Sequence, residues 1–94
     1  MPILDQIAVR IVKEQELIVG PLAWHQASKV QGLRVDEKTG AVSIIDVSHG
    51  SLVLDQLVGQ YEHLFGRASR EVCREAAAPL VADLPAGEVP ASLR

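Results

Sequence analysis

Aromatic side chains are scarce in this chain: 94 residues contain one Trp, one Tyr and one Phe. A stacking platform for single-stranded nucleic acid lacks its parts. A single cysteine excludes an internal disulfide and any zinc site built from several thiolates. The longest apolar stretch, Leu17 to Trp24, is eight residues and is interrupted by Gly20-Pro21. A membrane helix needs about 20 residues, so no span and no membrane partner is expected. Basic charge is also short, with nine Lys and Arg against twelve Asp and Glu, a net charge of −3. Phosphate neutralisation dominates affinity for nucleic acid, and nothing here supplies it. The first residues, Met1-Pro2-Ile3-Leu4-Asp5, carry neither the basic nor the apolar segment of a signal peptide. With one thiol and no export signal, a cytoplasmic protein is expected.

Apolar residues make up 48% and charged residues 22%. That is an ordinary globular mix. The core must be aliphatic. A chain of this length folds to a surface of roughly 5,300 Å² and buries about 64% of what it exposes unfolded, which makes one modest core. A single domain over residues 1–84 is expected, followed by a tail over 85–94. The tail reads Pro-Ala-Gly-Glu-Val-Pro-Ala-Ser-Leu-Arg, which suggests a loose segment or an arm that orders on a partner.

Periodicity predicts the order helix, helix, hairpin, helix, helix, an α+β fold. Ile3, Ile7, Ile11 and Ile18 share a stripe from Pro2 to Val19, with Leu4, Ala8 and Val12 beside it. Gly20-Pro21 breaks that helix. A second runs to about Val30 with Ala23, Ala27 and Val30 inward, and Gly32 after it. Leu33–Asp36 and Ala41–Ile44 then alternate about Glu37-Lys38-Thr39-Gly40, a turn opened by Asp36 and closed by Gly40. A four-residue loop sets Val35 against Val42 and Leu33 against Ile44 on one face, with Arg34 and Ser43 on the other. Ser48 or Ser51 caps a third helix ending at Phe65, with Leu54, Leu57, Val58, Tyr61, Leu64 and Phe65 buried. Ser69 caps a fourth, with Val72, Cys73, Ala76, Ala77 and Leu80 along its stripe. Pro79 is expected to end or kink it near Ala78.

Chemistry-bearing residues are dispersed. His25, His49, His63 and Cys73 show no metal-ligand spacing, so neither a metal nor a cofactor is expected. Ser48-His49-Gly50-Ser51 has the residue types of nucleophilic catalysis, but adjacent residues seldom face one another, and no catalytic residue is assigned. Arg67, Arg70 and Arg74 interleave with Glu71 and Glu75 and read as a solvated, ion-paired face. Cys73 reads as a small core residue, and Trp24 as the edge of the core with its N–H turned toward water.

These features favour a small soluble interaction or regulatory module acting as a homodimer or higher homo-oligomer, with a protein partner possible. Its interface is placed at Ile45 and Val47, which the hairpin register leaves without cover, and at the stripe of the first helix. One alternative is a small-ligand sensor with a pocket at Trp24 and Tyr61, flanked by His25 and His63. Another is a small enzyme subunit completed across an interface, with His49 and His63 as acid–base groups.

Overall fold

The computed structural model describes residues 2–94. Pro2 precedes the first helix, α1 (Ile3–Val19), which carries the centre of the core on one face: Ile7, Ala8, Ile11 and Val12 are fully buried. Ile18 continues the same stripe but is 59% exposed, while its neighbour Val19 packs against the core. Gly20 closes α1, and α2 (Leu22–Ala27) follows after Pro21. It is shorter than its apolar spacing suggests. Successive i→i+3 hydrogen bonds from Lys29 to Gln26 and from Val30 to Ala27 tighten its end, and Val30 still reaches the core.

Gly32, at φ +84°, turns the chain into β1 (Leu33–Asp36). A Cβ at Gly32 would stand 2.9 Å from Val53 Cγ2, so both backbone and space require glycine. β1 pairs antiparallel with β2 (Ala41–Ile44) in the register the hydrophobic pattern demands: Leu33 with Ile44, Val35 with Val42, Asp36 with Ala41. The Asp36 side chain accepts from the Lys38 N–H, its carbonyl accepts from Gly40, and Gly40 takes φ +73°. Leu33, Val42 and Ile44 are buried beneath the helices.

A 3-10 turn (Val47–His49) leads into α3 (Gly50–Phe65), and Gly66 separates it from α4 (Arg67–Val81). Neither expected serine cap forms, the first open to Ser48 or Ser51 and the second placed at Ser69. Ser48 Oγ donates to Asp46, Ser51 Oγ donates to the Glu88 carbonyl, and Ser69 lies inside α4 with its amide bonded to Gly66. Leu64 is 46% exposed, whereas Val53, one turn before Leu57, is buried. Pro79 does not end α4, which continues to Val81. The carbonyl deprived of its partner is that of Glu75, on an exposed face where water can serve it.

Among the described residues the fold is therefore α+β, with four α-helices and one two-stranded antiparallel sheet in the order α-α-β-β-α-α. Helix α1 packs against α2, α3, α4 and β2. The C-terminal segment, loose by composition, lies against α3 and α4 as two 3-10 turns, Ala86–Glu88 and Ala91–Leu93. Pro90 and Leu93 are buried, and Asp55 Oδ1 accepts from both the amide and the hydroxyl of Ser92.

Candidate functional site

Where β2 hands over to α3, the chain places apolar side chains in solvent. The last ladder bond runs from the Ile45 N–H to the Gly32 carbonyl (2.7 Å). Beyond it Ile45 is 58% exposed, Val47 80% and Leu52 53%. The corner is held by Asp46, whose carboxylate accepts from Ser48 Oγ at 3.0 Å and pairs with His49 Nδ1 at 3.1 Å. These contacts, His49 first and Ser48 second, hold the Asp46 carboxyl below the usual carboxylate range.

Two close approaches fix this corner against α1. Asp5 Oδ1 accepts from the Ile44 N–H (2.9 Å), an amide of the β2 edge turned away from β1. Gly50 lets α3 start beside Leu4, whose Cδ1 would stand 2.7 Å from a Cβ at that position. A cleft of about 630 Å³ opens between the first turn of α1 and the start of α3. Ile3, Leu4, Val47, Leu52 and Leu84 give it a mostly carbon lining. A second cleft, of about 390 Å³, lies across His49 and Leu52, which line both.

Asp46, Ser48 and His49 do not form a nucleophile relay. A relay needs the imidazole between acid and hydroxyl, one on each ring nitrogen. Here Asp46 and Ser48 both meet Nδ1, at 3.1 Å and 3.2 Å, and the hydroxyl bonds directly to the carboxylate. The trio is a corner clamp.

The residues of the sensor reading lie elsewhere. Tyr61 is fully buried and its hydroxyl donates to the Ala23 carbonyl at 2.6 Å. Trp24 is 4% exposed, and its Nε1 donates to Glu16 Oε2 at 2.6 Å rather than to water. His25 and His63 are exposed, and none of the four lines either cleft at the corner. His49 and His63 are 14 positions apart along α3 and its entry. That is roughly 20 Å at the helical rise, so one chain does not bring them together. Among the described residues no group of three or more His, Cys, Asp or Glu is placed to hold a metal ion. Arg74 pairs with Glu71 at 3.2 Å and Arg70 lies 3.9 Å from Glu62, a paired surface face.

Two features escaped the sequence reading. Leu52 fell on no stripe of α3, and an unassigned leucine in a helix's first turn was its only signal. Gln15 lies fully buried in the apolar stripe of α1, and its place at helical spacing between Ile11 and Ile18 was its only signal. Its Nε2 donates to the Ser69 carbonyl (2.9 Å) and to Cys73 Sγ (3.3 Å), tying α1 to α4. Its Oε1 has no partner among the described residues.

No protein-family model, curated protein or solved structure matches this chain.

Proposed function

We propose that the chain is a small protein-interaction module working in the cytoplasm, and that its contact surface is the β2–α3 corner with the cleft beside it. One observation carries the reading: a mostly carbon-lined cleft is bordered by Val47 and Leu52, both more than half exposed. Burying an exposed Val or Leu side chain is worth about 1.5–3 kcal/mol, so two such anchors make a useful interface core. The missing relay geometry and the separated histidines weigh against an enzyme site within one chain. The buried, hydrogen-bonded Trp24 and Tyr61 weigh against a ligand pocket between α2 and α3.

Selection from a random peptide display library tests it, with the Val47→Lys variant as counter-selection. Peptides retained by the native chain and lost by the variant are expected. Failure to enrich any Val47-dependent peptide overturns the reading.

Self-association is a second reading, favoured by Ile45, which is 58% exposed and lies outside the cleft lining. A continuous four-stranded sheet through the β2 edge is not its natural route, because Asp5 already occupies the Ile44 amide. A face-to-face contact over Ile45 and Val47 requires no such displacement.

A further inference from the structure

The cleft at the β2–α3 corner carries charge of one sign. Asp5 and Glu88 are among its lining residues, and Asp46 stands beside it through its contacts to Ser48 and His49 on the lip. No lysine or arginine lines it among the described residues, and His49 is its only other titratable side chain. Asp5 accepts from an uncharged amide, and Asp46 meets a hydroxyl and the His49 ring.

That pattern discriminates between occupants. A two-fold contact through the cleft would set these three carboxylates against their equivalents in a second copy. Like charges brought together in a contact that excludes water suppress association. A small uncharged apolar molecule in the cleft would leave these carboxylates without a counter-charge. A segment with apolar side chains on one face and cations beside them satisfies both features, and amphipathic segments are commonly received in apolar grooves in this way.

Resting on the interaction reading above, we propose that the cleft receives a short amphipathic segment of a different protein. Its apolar side chains would lie between Leu4, Val47 and Leu52, and its lysine or arginine residues against Glu88 and Asp46.

Fluorescence polarisation of two synthetic helical peptides tests this. Both carry leucines at i, i+3, i+4 and i+7; one has lysine at the flanking positions and the other glutamate. The native chain is expected to bind the Leu/Lys peptide at least roughly tenfold more tightly, a difference of about 1.4 kcal/mol. Raising the ionic strength should narrow that gap. Glu88→Lys should shrink or invert the preference. Leu52→Lys should weaken Leu/Lys binding roughly tenfold, while Leu17→Lys, at an exposed position on the far end of α1, should change nothing. Leu52 is more than half exposed, so an unchanged circular dichroism spectrum and melting temperature confirm that its variant folds.

Equal affinity for the two peptides overturns the proposal, as does sensitivity to Leu17→Lys in place of Leu52→Lys. If display selection returns Val47-dependent peptides without basic residues, the interaction reading stands and the basic-segment proposal falls. If Leu52→Lys instead lowers the solution mass of the chain, the occupant is a second copy and the proposal falls as well.

Discussion

Cys73 shows how one residue's surroundings set its chemistry. Its side chain is fully buried in α4 against α1, and burial pushes the thiol up to about 11 despite the bond from Gln15. The thiolate is the reactive form, so slow labelling by a thiol reagent is expected in the folded protein and fast labelling after unfolding. Equal rates in both states would contradict the burial. The same shift has a pH signature. The thiol's ordinary value is 9.0, so above that pH the unfolded chain releases a proton that the folded chain retains. The stabilisation is complete below about pH 9 and is lost as pH rises toward 11, at up to about 1.4 kcal/mol per pH unit. Tyr61, raised by burial in the same way, adds to the loss at still higher pH. Denaturant melts at pH 8, 9 and 10 should therefore fall more steeply for the native chain than for Cys73→Ala. Parallel slopes would mean that the folded thiol titrates normally.

At the scale of elements, glycines at different places predict opposite signs. Gly59 lies on the exposed face of α3 with nothing within 4 Å of a Cβ. Gly59→Ala should therefore stabilise by about 0.5–1 kcal/mol. Gly32→Ala meets Val53 and a positive φ. The backbone alone should cost about 1–2 kcal/mol there. Thermal melts of the two variants should move in opposite directions. The C-terminal segment makes a sharper test. Leu93 is 6% exposed, Pro90 is buried, and Ser92 makes two bonds to Asp55. Removing residues 86–94 should cost about 2 kcal/mol or more, a fall of roughly 8–16 °C in melting temperature for a domain of this size. A fall of only a degree or two would show that the segment is loose in solution, as its composition suggests.

For the molecule as a whole, the open question is what covers its exposed apolar side chains. The folded surface is 5354 Å². Area scaling gives the same size for a monomer of this mass. A stable dimer buries about 800 Å² per partner, a large share of so small a body. Sedimentation equilibrium at micromolar concentration separates the possibilities. Self-association over the hairpin face predicts a mass above 10.1 kDa that Ile45→Lys returns to the single-chain value. A native chain already at 10.1 kDa, with no response to Ile45→Lys, removes the self-association reading and leaves the cleft as the contact surface.

Local chemistry was legible in the sequence wherever it set the structure. Both ends of α1 and the C-terminal end of α3 followed from Pro2, Gly20 and Gly66, and the hairpin register from Asp36, Gly40 and the alternation on either side. Each is decided by a turn geometry or a period that a few consecutive residues impose. The burial of Cys73 followed from helical spacing in the same way. What the sequence left open depended on residues far apart in the chain. The amide of Ile44 meets Asp5 across 39 positions, and Ser51 and Asp55 meet the C-terminal segment across 37. Those contacts drew Ser51 away from capping and set the segment after Pro85 on α3 and α4. The cleft is a product of the same long-range placement, since Ile3, Leu52 and Leu84 share no local pattern and meet only when α1 and α3 start side by side. Helical spacing alone likewise assigned Ile18 and Leu64 to the core. Both are exposed while Val19 and Phe65 beside them pack on the core, a choice made by packing between elements.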